Sequence, residues 1–237
     1  MLEFAKTKSS SSSLSNPSSA QYKAVEWLAQ DKVNNNSNWS GYELLQRYVL
    51  RVLYHSTGGQ NWRATVAPYW FGGSQVCQWP NVNFQDLYCN GQQVYRIDLG
   101  ADSLRGTIPV ELGQLNALKE LALYLNQLTG TIPSELGQLT ALTLLNLRSN
   151  QLRGSIPVTL TQLVELKNIY LYNNLLTGQV PSGFCEAPFP NWRASAYDGN
   201  KFVADCMSEV QCDCCDQCGD EYGNGYCWNG SGFSFCG

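Results

Sequence analysis

From Val94 onward the chain repeats itself every 24 residues, so that Val94, Leu118, Leu142 and Leu166 are equivalent. Each copy follows L-x-x-L-x-L-x-x-N-x-L: Leu118, Leu121, Leu123, Asn126 and Leu128; Leu142, Leu145, Leu147, Asn150 and Leu152; Leu166, Ile169, Leu171, Asn174 and Leu176. The first copy is looser, with Val94, Ile97, Leu99, Asp102 and Leu104. A unit of this length cannot bury its apolar face alone; stacked copies bury one continuous core, which makes the chain a solenoid. Alternation within each copy predicts a strand whose inward residues, such as Leu121 and Leu123, stack coil upon coil.

Two further columns hold phase with the leucines. Asn126, Asn150 and Asn174 carry both donors and an acceptor, so each is expected to bridge backbone groups of its own and a neighbouring coil. Asp102 stands in that column without the donor, which is tolerable at the first coil, where one neighbour is a cap. After the Asn, each copy continues G-x-[IV]-P: Gly106 to Pro109, Gly130 to Pro133, Gly154 to Pro157 and Gly178 to Pro181. Gly permits close approach or positive φ, Ile or Val fills the convex side, and Pro suits a ladder edge or turn. On these motifs residues 42–184 resemble the plant-type leucine-rich-repeat family. The resemblance implies a right-handed α/β solenoid, with a parallel β-sheet on the concave face, a second short sheet beside it, a helical N-cap and a Cys-rich C-cap.

The flanks divide accordingly into a Ser-rich lead at 1–20, expected to be disordered, an N-terminal cap at 21–93, four repeats at 94–184 and a C-terminal cap at 185–237. In the cap, Tyr22, Val25, Trp27 and Leu28 suggest a short amphipathic helix, and Asn34 to Ser40 a loop. Leu45, Tyr48, Val49, Val52 and Leu53 then mark one face of a longer helix that begins near Tyr42 and ends at Gly58-Gly59, its other face carrying Glu43, Arg47 and Arg51. His55, in the last turn, is read as an imidazolium favoured by the helix C-terminus. Cys77-Gln78-Trp79 with Cys89 resembles the family's disulfide-closed N-terminal cap, which pairs Cys77 with Cys89. Gln21 to Trp62 and the tail with Cys206 and Cys212 to Cys215 most resemble diatom-type leucine-rich-repeat ectodomains.

Eight of the ten cysteines (Cys185, Cys206, Cys212, Cys214, Cys215, Cys218, Cys227 and Cys236) fall in the last 53 residues, a density of oxidising compartments. They are read as disulfides, Cys185 with Cys206 and the other six among themselves, in an undetermined connectivity. C-x-C and C-x-x-C spacings amid carboxylates leave a metal site as an alternative that is not adopted. The first twenty residues show no apolar signal core, a conflict resolved by taking the chain as part of a longer secreted or tethered protein. Asn35, Asn38 and Asn229 head glycosylation triplets. Localisation is thus expected to be extracellular or at the cell surface.

Net charge is −4, made of +2 over residues 1–201 and −6 over 202–237, where no Lys or Arg occurs. No basic stripe offers a path for nucleic acid. Apolar residues never run to the roughly 18 needed to span a membrane, and one His leaves little for His-based catalysis.

The outward strand positions build the concave face: Arg96, Asp98 and Gly100; Glu120, Ala122 and Tyr124; Leu144, Asn146 and Arg148; Asn168, Tyr170 and Tyr172. Four strands span only ~15 Å. One column sets Arg148 between Tyr124 and Tyr172, an anchor for a ligand, or else a self-stacked solvated ladder. Arg96, Asp98, Glu120, Asn146 and Tyr170 complete the expected binding surface. Asp98 with Glu120 could be read as an acid/base pair, but Arg96 is placed to neutralise them and an open sheet excludes no water. The expected function is therefore non-catalytic, without cofactor or metal: recognition of a protein, peptide or glycan, as a receptor-like ectodomain or a secreted binding or inhibitor protein. The alternative is a structural wall or matrix component, crosslinked or cation-binding through its acidic Cys-rich tail.

Overall fold

The computed structural model describes residues 2–35, 39, 41–63, 75–79, 86–185, 201–203, 210–211, 226–228 and 233–235. Its repeats coil as their periodicity requires. Strands β2 (Gln93–Asp98), β4 (Glu120–Ala122), β6 (Leu144–Asn146) and β8 (Asn168–Tyr170) pair in parallel. Arg96, Glu120, Leu144 and Asn168 stand in one row and Asp98, Ala122, Asn146 and Tyr170 in another, with Ile97, Leu121, Leu145 and Ile169 between them, fully buried. The sheet is wider than the four repeats. Strand β1 (Leu87–Asn90), from the N-terminal cap, adds antiparallel to β2, and β11 (Lys201–Val203), from the C-terminal region, adds parallel to β8. Phe202 takes the register position of Ile169.

After each main strand the backbone turns left-handed, at Ala101, Leu125, Ser149 and Asn173, φ 54–58°, and in the first coil again at Ser103, φ 65°. The turn carries the Asn column inward. Asn126 Nδ2 donates to the carbonyls of Leu99, Leu123 and Tyr124, while its Oδ1 accepts from Asp102 N and Leu104 N. Asn150 and Asn174 repeat this toward Leu123 and Leu147 of the preceding coil and toward their own strands. Each amide thus satisfies buried backbone groups of two coils, which explains its fixed spacing.

Short side pairs follow, with the tetrad glycines Gly106, Gly154 and Gly178 on one strand of each: β3 (Arg105–Thr107) with β5 (Gln127–Thr129), β7 (Arg153–Gly154) with β9 (Leu175–Leu176), and β10 (Gly178–Gln179) with β12 (Val210–Gln211), all parallel. Gly106 needs its missing side chain twice over: φ is 109°, and an added Cβ would sit 2.2 Å from the Ser56 carbonyl oxygen. Ile108, Ile132, Ile156 and Val180 are buried on the convex side. Pro109, Pro133 and Pro157 each open a 3-10 turn whose Leu N–H bonds the Pro carbonyl.

Two helices build the cap, α3 (Ala20–Asn35) and α4 (Gly41–Ser56). The Gln46 side chain bonds the start of β2, with Nε2 donating to Gln92 O and Oε1 accepting from Val94 N at 2.7 Å. The polar face of α4 is not a solvated one. Arg47 is fully buried, paired with Asp31 at 2.6 Å and Glu43 at 2.9 Å, its guanidinium over the rings of Trp39 and Trp79. Glu43 also accepts from Val76 N. Charges so paired and bonded stay inside without an orphaned ion. Cys77 and Cys89 are joined in a disulfide, Cα–Cα 5.7 Å.

The Ser-rich lead departs from its expected disorder. It forms α1 (Leu2–Lys6) and α2 (Ser11–Ser15), with Ala5 and Leu14 buried and Phe4 edge-on to Tyr48. Ser10 caps α2 through Ser13 N, and Ser9 bonds both the Tyr48 hydroxyl, at 2.7 Å, and the buried Glu111 carboxylate. Gln114 of the first 3-10 turn donates to Lys8 O. A polar, Ser-rich composition argues for disorder only when a segment must build its own core; a few apolar anchors and Ser caps suffice to dock on a surface already formed. Burial pushes the Tyr48 hydroxyl up to about 12.

Candidate functional site

The concave face lies where the outward rows of β1, β2, β4, β6 and β8 align, and its two ends differ in charge chemistry. At the N-terminal end Arg96 bonds Asp98 at 2.7 Å and Glu120 at 3.2 Å, and its guanidinium lies 4.8 Å from the centre of the Tyr88 ring on β1. The Asp98 hydrogen bond leads in holding the Arg96 guanidinium above its ordinary value. Both carboxylates share that one cation. A cavity of about 340 Å³ nearby is lined by Cys89, Asn90, Tyr95 and Lys119, and neither carboxylate belongs to it.

Toward the other end, Arg148 follows β6 with its guanidinium over the Tyr124 ring at 5.1 Å and the Tyr172 ring at 5.8 Å, and donates to the Tyr172 hydroxyl at 2.9 Å. The column therefore leans coil onto coil. Its foot is Gly100, where an added Cβ would meet the Tyr124 ring at 2.2 Å, so the absence of a side chain there lets Tyr124 lie flat and receive Arg148. That seat was legible only as a gap in the tyrosine column. Asn146 Oδ1 accepts from Arg148 N at 3.4 Å, and burial raises the Tyr170 hydroxyl. Leu125, next to Tyr124, is 49% exposed at φ 54°. A left-handed Leu costs about 1–2 kcal/mol, and here about half of the residue stays in water.

Asp102 is buried, as a ladder residue must be, but it has a different partner from the asparagines. Arg63 of the cap donates to it, with its Nε 3.4 Å from Asp102 Oδ1 and its backbone N on Asp102 O. Burial nevertheless raises the Asp102 carboxyl. His55 is not a helix-capping imidazolium. Burial, with Arg51 and Lys23 nearby, lowers it to about 4, so it is neutral at pH 7; the like charges and desolvation outweigh the helix terminus. The side chains of Cys185, Cys227 and Asn35 lie outside the described residues, as do Cys206, Cys212, Cys214, Cys215, Cys218, Cys236, Asn38 and Asn229. No described helix is long and apolar enough to cross a membrane.

The pattern of the family described as Leucine Rich Repeat matches residues 117–139, 141–163 and 165–187. Among solved structures, the chain is similar to PEPR1 in the PEPR1–AtPEP1 crystal structure, at 30% identity and a TM-score of 0.53 over 60% of this chain. Residues 117–187 thus carry three leucine-rich repeats. The chain is also similar to the BIR2 ectodomain from Arabidopsis thaliana, at 28% identity and a TM-score of 0.52, again over 60% of this chain. The chain spans 19% of the PEPR1 chain and 73% of the BIR2 chain. No curated protein matches it.

Proposed function

We propose that this chain is a non-catalytic recognition module, binding a protein, peptide or glycan partner on its concave face as a receptor-like ectodomain or a secreted binding protein. The single observation that carries the reading is the Tyr124–Arg148–Tyr172 column: a guanidinium between two aromatic rings on the concave sheet, each of the three side chains partly exposed. Such aromatic and Arg groups dominate binding energy because they bring much contact area at little rotamer cost. PEPR1, a similar structure, was solved in complex with AtPEP1, and BIR2 as an ectodomain, which supports an extracellular setting and an extracellular partner here. The Cys77–Cys89 disulfide fits that compartment. Against catalysis stands Arg96, which ties up Asp98 and Glu120 together.

The test is the double variant Tyr172→Ala with Arg148→Ala. Cross-linking on the producing cells, followed by capture, is expected to yield a partner with the natural chain and at least tenfold less with the double variant at equal Tm. Equal yields from both would sink the concave-face reading.

A further inference from the structure

Resting on the reading of the concave face as the binding surface, we propose that its ligand is a peptide segment with an acidic residue beside an aliphatic one, the carboxylate held by Arg148 and the aliphatic side chain by Leu125. Charge complementarity carries the first half. Of the two arginines on this face, Arg96 is already satisfied by Asp98 and Glu120. Arg148 pairs with no carboxylate among the described residues; its partners are the Tyr124 and Tyr172 rings and the Tyr172 hydroxyl. The Tyr124 ring lies 5.1 Å from the guanidinium and the Tyr172 hydroxyl accepts one of its five N–H donors, while no described acceptor takes the other side-chain donors. The bond from Nη1 to the phenol then fixes how the guanidinium plane is turned. A planar fork held in this way is preorganised for a carboxylate, which accepts two parallel N–H bonds, and it loses little rotamer entropy on binding.

The second half separates a peptide from an acidic sugar. Leu125 directly follows Tyr124, and its backbone N donates to Arg148 O, so it adjoins the clamp. The equivalent turn positions hold Ala101, Ser149 and Asn173. Only here is a large apolar side chain kept half-exposed in the left-handed conformation. An aliphatic surface offers nothing to sugar hydroxyls and gains by covering another aliphatic side chain. Asp98 and Glu120 set the direction: they repel an acidic residue from the N-terminal end, so the ligand places it toward β6 and β8.

The experiment uses immobilised degenerate peptides in pools identical except at the centre, where one carries Asp-Leu, one Asn-Leu and one Lys-Leu. The chain is expected to retain the Asp-Leu pool at least tenfold over the Asn-Leu pool. Arg148→Gln, with its Tm unchanged, is expected to erase that preference, and Arg148→Glu to transfer it to the Lys-Leu pool. Leu125→Ser is expected to weaken Asp-Leu retention severalfold while keeping the order of the pools. Equal retention of Asp-Leu and Asn-Leu, still lost in Tyr172→Ala, overturns the acidic ligand and leaves the concave-face reading standing. Retention indifferent to Tyr172→Ala, or no retention at all, overturns both. If soluble oligogalacturonate binds in an Arg148-dependent way and no peptide pool does, the ligand is an acidic glycan and the peptide assignment fails.

Discussion

At the scale of single residues, the Asn column shows how one side chain can dictate a fold. Asn126, Asn150 and Asn174 each tie their own strand to the coil before, and Asp102 breaks the series where Arg63 compensates. Because the folded-state pKa of Asp102 is raised by burial, the native state holds its proton more tightly than the unfolded chain does. Stability from this group is therefore greatest below the ordinary carboxylate range and is lost as pH rises through the raised value. Asp102→Asn removes the buried charge and restores the donor, at the loss of a pairing with an Arg63 that is more than half exposed. Denaturant unfolding at pH 7 is expected to show a gain of about 1 kcal/mol, shrinking as the pH falls toward 4. A destabilised Asn variant would mean that the Arg63 pairing outweighs the ladder donor.

Among elements, the side strands explain why the tetrad glycines are not equal. Gly106 packs against the end of α4, whereas Gly178 has nothing nearer its added Cβ than the Ser155 Cβ at 3.6 Å. Both have positive φ, so Ala strains the backbone at each, but only at Gly106 does it also collide with a carbonyl oxygen. Gly106→Ala is expected to cost about 2 kcal/mol or more and Gly178→Ala about 1 kcal/mol, compared by chemical denaturation. Equal losses would show that conformation, and not the seat of the first coil on α4, accounts for the tetrad. The tight fit also places the cap helix: Gln46 bonds the start of β2 while Ser56 abuts Gly106, so α4 touches both sheets of the first coil.

On the scale of the whole molecule, stability runs between neighbours, because each coil contacts mainly the coils beside it. The lead docks on the cap and on the first coil, through Tyr48, Glu111 and Gln114, remote from the Tyr124–Arg148–Tyr172 column. Removing residues 1–18 exposes the buried surface under Ala5 and Leu14 and strips Ser9 from the Glu111 carboxylate. The expected loss is about 2 kcal/mol, or roughly 4–8 °C in Tm for a chain of this size, with no change in ligand affinity. A loss of affinity on truncation would place part of the binding surface on the lead and overturn its purely structural role.

The repeat, its strand register, the inward leucines, the Asn ladder and the outward order of the concave face follow from the sequence alone, because a 24-residue period fixes phase and a strand's alternation fixes which side each residue takes. Contacts between distant segments escape periodicity. The docking of the Ser-rich lead, the burial of Arg47 and Glu43, the low pKa of His55 and the strands that β1 and β11 add to the sheet depend on what packs against them. The same holds within the candidate site. That Tyr124, Arg148 and Tyr172 share a column is written in their spacing; that Tyr124 lies down over Gly100, and that Arg96 is neutralised on its own face while Arg148 is not, was decided by side-chain geometry in the folded solenoid.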